Sequence, residues 1–187
     1  MSKNIQIQKE NVLNAYKNAS SEQKELLEHL FGSEVFKPAD VRERIKTFED
    51  AARAVGIDDP EEWLENYSDV EPDVLAYFKL RIITKALNEG WKPSFIPGEY
   101  RWAPYFLLYT KEEIEKMNAE TRARVVYRSY NHANAVGGVS FANAYCDSAF
   151  VNAFIGSRLA FKSEELAEYA GKQFTEIYAD FIFKAEE

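Results

Sequence analysis

The amino-acid sequence predicts an α+β protein: a helical N-terminal half, a small antiparallel β-sheet with irregular loops, and a C-terminal amphipathic helix. Three observations carry that prediction. Helix caps and apolar stripes at three- and four-residue spacing recur over the first half of the chain. The texture then changes at WKPSFIPGEYRWAPYFLLY, which holds three prolines and seven aromatics. Near the end, Leu166, Ala170, Phe174, Ile177, Tyr178 and Phe181 form one apolar face behind a capping Ser163. The expected organisation is a helical region over residues 1–70 and an α+β domain over 71–187.

Each element has its own local reason. Ser20 with Gln23 is a capping box, and Gly32 stops the helix that carries Leu26, Leu27, Leu30 and Phe31. Asp40 with Glu43 opens a second helix. Its apolar residues Val41, Ile45, Phe48, Ala52 and Val55 predict one continuous stripe ended by Gly56. Pro60 begins a short helix with Trp63 and Leu64. Pro72 occupies a first helical position, and that helix runs through Val74, Leu75, Phe78, Ile82 and Leu87 to Gly90.

Residues 100–109 suit a strand pair or an extended arm, and Pro104 argues against a central strand. Thr110 with Glu113 caps a short acidic helix. Residues 122–128 alternate and predict a strand, Gly137-Gly138 predicts a turn, and residues 158–161 predict a closing strand. Ser163 then starts a helix expected to run to Lys184.

Composition narrows the function. The net charge of −8 and the lack of any Lys/Arg run argue against nucleic-acid binding, which needs a basic surface. No stretch approaches the roughly 20 apolar residues of a membrane span. The opening MSKNIQIQKENVLNAY has no apolar run long enough for a signal peptide, so synthesis in the cytosol is expected, with retention there or export within a particle. A single cysteine, Cys146, excludes a disulfide framework within the chain.

Catalytic chemistry finds little support. Cys146, Asp147 and His132 could serve as nucleophile, orienter and base only if held within hydrogen-bond reach, and all three fall in an irregular stretch. Neither CxxC nor HExxH is present, His29 reads as a surface residue, and no metal or other cofactor is expected. Gly137-Gly138 lacks the context of a phosphate-binding loop. The acidic helix from Lys111 to Met117 reads as a solvated face.

The segment 129–157, SYNHANAVGGVSFANAYCDSAFVNAFIGS, obeys different rules from its surroundings. Lys, Glu, Gln, Met and Trp make up about a quarter of the chain but are absent from these 29 residues. A glycine-rich sheet region packed on the core is one account of it. A sharper account is genetic. None of the five missing types has a codon ending in C, whereas every type present has one. An AAC codon randomised at its two adenines reaches every type in the segment and none of those five.

That pattern resembles the variable proteins of diversity-generating retroelements. The diversified positions would be Tyr130, Asn131, His132, Asn134, Val136, Asn143, Tyr145, Cys146, Asp147, Phe150, Asn152, Phe154 and Ile155. Ala133, Ala135, Gly137, Gly138, Ala142, Ala144, Ser148 and Gly156-Ser157-Arg158-Leu159 would form the fixed frame. The family's variable segment precedes a final Gly-x-Arg strand, which Gly156-Ser157-Arg158 fits. The stretches RIKTFEDAARAVG, LRIITKALNEGWKP and GSRLAFKSEELAEYAGKQF also resemble proteins of unassigned activity carried by phages and mobile elements of gut bacteria.

The first resemblance implies a C-type-lectin-like sheet domain and a non-catalytic protein that binds a protein or cell-surface ligand. The acidic charge and the lack of a membrane-length apolar run add the expectation of no nucleic-acid partner and no membrane insertion. Homo-oligomerisation or display on a phage particle would make weak sites effective. The C-terminal helix departs from the family, which usually ends shortly after the variable strand. An intracellular accessory protein of a mobile element, with the segment buried, is the alternative.

Overall fold

The computed structural model describes residues 6–94, 96–128, 137–148 and 157–183, with the side chains of residues 147, 148 and 157 left out. Within these, ten α-helices and a three-stranded antiparallel sheet make an α+β protein. The chain divides into two units, Met1–Arg44 and Ile45–Glu187, a boundary well before the 70/71 expected from sequence.

In the first unit, α1 (Lys9–Lys17) packs with α2 (Ser21–Phe31) and the 3₁₀ turn Ser33–Phe36, and α3 (Val41–Arg44) ends it. The Ser20–Gln23 capping box forms as expected, and Gly32 closes α2 at φ 83°. Tyr16 is the pivot. Its ring stacks on Phe36 at 4.1 Å, and its hydroxyl donates to Glu28. That hydrogen bond to the carboxylate, with some desolvation and the Glu28 charge, holds the phenol above its ordinary pKa.

The continuous helix expected from Asp40 to Val55 is broken. Residues 45–47 are non-helical, and α4 starts afresh at Phe48–Ala54. Two interactions that the stripe could not reveal explain the break. Thr47 and Asp50 form a second capping box. The Ile45 and Lys46 carbonyls accept from Tyr169 Oη at 2.6 Å and Gln173 Nε2 at 2.7 Å, replacing the helical N–H groups they would otherwise accept.

The second unit is built in layers. The sheet packs on α9 (Glu164–Gln173) and α10 (Thr175–Ile182); α6 (Pro72–Leu87) packs on α10, and α4 on α6. The short α5 (Pro60–Glu65) follows α4 and is capped by Asp59. Leu80, Ile83 and Leu87 of α6 are fully buried, each contributing about 1.5–3 kcal/mol from apolar burial. Asn88 fixes the next connection: its Nδ2 donates to the Ala160 carbonyl at 2.8 Å, and its Oδ1 accepts from the Lys162 N–H at 3.0 Å.

The last helix is two helices rather than one. The hydroxyl of Thr175 donates to the Gly171 carbonyl at 2.6 Å, and Phe174 leaves the helical region at φ −115°, ψ 28°. The apolar face runs across this break, so periodicity does not register it. Ser163 caps α9 as expected.

The sheet has the order β1–β3–β2, with β1 Tyr100–Thr110, β2 Val126–Arg128 and β3 Gly137–Ser148. Between β1 and β2 lie α7 (Lys111–Lys116), boxed by Thr110 and Glu113, and α8 (Ala119–Arg122). The strand expected over 122–128 therefore shrinks to three residues. Pro104 lies in β1, an edge strand, as its chemistry demands. Trp102 exchanges both backbone hydrogen bonds with Phe161 on the outer edge, and Pro104 shares that orientation two residues on, so its missing N–H faces away from β3. The closing strand expected over 158–161 is only this single bridge, preceded by a 3₁₀ turn at Ser157–Leu159.

Candidate functional site

Gly137 and Gly138 form no turn. They start β3 between β1 and β2, paired to Thr110 and Tyr109 on one side and to Arg128 and Tyr127 on the other. An added Cβ at Gly137 would lie 1.3 Å from the Tyr109 carbonyl oxygen, and one at Gly138 would lie 2.1 Å from Val125 Cγ1. Close approach of neighbouring chain is what demands glycine here.

From that start, β3 pairs with β1 through Phe141↔Phe106, skips Ala142, and resumes at Asn143↔Tyr105. Ala142 is thus the extra residue of a β-bulge. The bulge resets the alternation so that Val139, Phe141, Ala144 and Cys146 share one face, opposite Trp102, Pro104, Phe106 and Leu108 of β1. This face is packed. Val139 is fully buried with Ala179 and Phe183, and Phe106 packs on Tyr178 at 4.9 Å. Gly171 lets α9 approach, since a Cβ there would lie 2.3 Å from Phe141 and 2.8 Å from Pro104.

The other face is different. Its rows are Ala103↔Tyr145, Tyr105↔Asn143, Leu107↔Ser140 and Tyr109↔Gly138↔Tyr127. Ile114 of α7 covers it at Gly138, and Tyr109 and Ser140 hydroxyls meet at 3.3 Å beside that cover. Beyond this rim Tyr105 is 52% exposed, Leu107 45% and Tyr145 56%, with Asn143 exposed beside them. The result is an open patch of tyrosine, amide and aliphatic groups on a hydrogen-bonded support, a composition suited to recognition.

The sheet is braced from behind. Arg128 of β2 donates from Nε to Asp180 Oδ1 at 2.7 Å and from Nη2 to Glu176 Oε2 at 2.8 Å, both on α10. Burial opposes the guanidinium charge, but the hydrogen bonds and charges of Asp180 and Glu176 outweigh it and raise the pKa.

The structure distributes the sequence-derived candidates as follows. Asn143 and Tyr145 come together on the open patch. Cys146 lies on the packed side, half-buried and paired in register with Trp102. Asp147 pairs in register with Arg101. Tyr130, Asn131, His132, Asn134, Val136, Phe150, Asn152, Phe154 and Ile155 lie outside the described residues. Of the expected frame, Ala144 and Leu159 are buried, while Ala142 is exposed at the bulge. His29 is exposed on α2. Tyr105, Leu107 and Tyr127 escaped attention, because only the pairing of β1 and β2 with β3 brings them to this patch. The odd-numbered alternation Tyr105, Leu107, Tyr109 was the available signal.

Among the described residues, no group of three metal-ligating side chains lies together, and no helix is long and apolar enough to cross a membrane. Comparison with protein-family models, curated proteins and solved structures gives no match.

Proposed function

We propose that this is a phage- or mobile-element-encoded binding protein whose open sheet face recognises a protein or cell-surface ligand without catalysis. The observation that carries the reading is the division of labour within β3. Asn143 and Tyr145 are exposed and free of packing duties, while Ala144 between them is buried on the supporting side. Side chains that support nothing can change without unfolding the scaffold. Tyrosine gives large contact area at low entropy cost, and asparagine adapts its hydrogen bonds.

In this reading residues 129–157 belong to a diversified segment of the lectin-like retroelement type, and several copies on an oligomer or particle add weak contacts into useful avidity. The alternative, an accessory protein that buries the segment, fits less well with an outward Tyr145. Two measurements test the proposal. Sequencing the neighbouring DNA should reveal a near-copy of the segment that differs only at adenines, beside a reverse-transcriptase gene; absence of both would sink the diversification. Tyr105→Ser/Asn143→Ser/Tyr145→Ser should abolish retention of the full chain on bacterial cell-surface extracts while leaving its melting curve nearly unchanged. Retention equal to that of the unmodified chain would remove the patch from recognition.

A further inference from the structure

A concavity of about 350 Å³ lies at the start of β1, where Tyr100 and Trp102 meet Trp91, beyond the end of α6, and the first turn of α9. That volume is at the small end of the range for small-molecule sites. Three aromatic side chains line it, including two of the chain's three tryptophans. Tyr100 and Trp102, two apart on one strand, stand on the same face about 7 Å from each other. Hydrogen bonds hold the walls in place. The Trp91 N–H donates to the Asn88 carbonyl at 3.0 Å, and the buried Asn88 side chain binds the Ala160 carbonyl and the Lys162 N–H. Phe161, between those two, exchanges both backbone hydrogen bonds with Trp102. The site is therefore formed before any ligand arrives.

These three rings differ from others in the chain. Tyr16, Phe48, Tyr77, Phe141 and Tyr169 each lie under a lysine or arginine of the chain itself, at 5.2–5.7 Å. Among the described residues, no lysine or arginine lies over Trp91, Tyr100 or Trp102. The lining around them is acidic. It holds the carboxylates of Glu99, Glu164 and Glu165 and one ammonium, that of Lys162, which is paired with Glu89 at 3.3 Å. The start of α9 does not reverse that sign: Glu164 and Glu165 themselves occupy its first turn, and Ser163 Oγ takes the Leu166 N–H. Aromatic faces attract a cation, and the acidic lining adds to that attraction on a chain of net charge −8.

We infer that this concavity binds a small molecule carrying a trimethylammonium group, its methyls against Trp91, Tyr100 and Trp102 and its charge offset by Glu99, Glu164 and Glu165. Such a group has no N–H to donate, so ring faces suit it better than hydrogen-bond acceptors do. A primary ammonium is strongly hydrated and gains less from aromatic walls. The site shares no residue with the open patch, so either can fail without the other.

Choline chloride is the probe, titrated into the full chain at low ionic strength and followed by calorimetry and tryptophan fluorescence. It should bind saturably at one site and more weakly as salt is added. Its neutral carbon analogue, with a tert-butyl group in place of trimethylammonium, should bind about tenfold more weakly or worse. Trp91→Leu should weaken choline about three- to tenfold, whereas Trp91→Phe, which keeps a ring, should cost about twofold or less. Tyr100→Leu repeats the test at a position 59% exposed, where the fold is not at stake. Glu164→Gln should weaken choline and leave the neutral analogue unaffected. Phosphocholine sets a phosphate against the glutamates and should bind more weakly than choline. Equal or tighter phosphocholine binding would reassign the site to a phospholipid headgroup and overturn the proposal. It is likewise overturned if choline shows no saturable binding, if the neutral analogue binds equally well, or if the ring-to-leucine variants keep full affinity.

Discussion

Ala144 and Tyr145 are neighbours in the chain yet live under opposite constraints. Ala144 faces α9, where Gly171 is so close to Phe141 and Pro104 that a single added carbon would collide. Tyr145 faces outward, more than half exposed, with Ala103 opposite it in the register. The same two strands therefore carry a face whose residues are chosen by packing and a face whose residues are not. That difference teaches how a sheet can be stable and chemically free at once: backbone pairing and the packed face hold the fold, and the open face contributes little to it.

The comparison can be broken hardest from the packed side. Phe161→Ala removes a fully buried ring at the β1 edge and should destabilise by about 3–5 kcal/mol in urea titration. Gly171→Val should follow, at about 1–3 kcal/mol or more, because Phe141 and Pro104 must shift to admit it. Asp180→Ala, which leaves Arg128 with Glu176 as its remaining acidic partner, should cost about 1 kcal/mol, discounted because Asp180 is partly exposed. Tyr105→Ser, Asn143→Ser and Tyr145→Ser, each made alone, should stay within about 0.5–1 kcal/mol despite lying in the same strands. Single-site losses on the open face as large as that of Phe161→Ala would erase the distinction between the faces.

The smallest effect is a matter of pH. The backbone N–H of Thr110 and then its hydroxyl donate to the Glu113 carboxylate and hold its pKa below the ordinary 4.5. A depressed carboxylate contributes stability above 4.5 and loses it as pH falls through the folded value. The stability gap between the unmodified protein and Thr110→Ala should therefore be widest near neutrality and narrow on acidification below that value, as read by melting temperature.

What could be read from sequence was local. The caps at Ser20, Thr110 and Ser163, the proline starts at Pro60 and Pro72, and the edge character implied by Pro104 each depend on neighbours within a few residues. What could not be read was decided by distant chain. The break at residues 45–47 depends on Tyr169 and Gln173, more than 120 positions away. Gly137-Gly138 looks like a turn until β1 and Val125 crowd it. The open patch was half legible: Asn143 and Tyr145 stood out by composition, while Tyr105, Leu107 and Tyr127 join them only through strand pairing.

The lone unpaired Ala142 also acts as a phase shifter. Odd and even positions of β3 exchange roles there, so Phe141 and Ala144, three apart, both point at the helices. Were Ala142 drawn into regular pairing instead, every later position in the strand would swap sides, turning Tyr145 inward against α9 and Ala144 out to solvent; deleting it would remove only the bulge and leave the sides as they are. Point changes along this strand are tolerated or not, one side chain at a time; one further residue with no bulge to absorb it would rewrite the whole upper half.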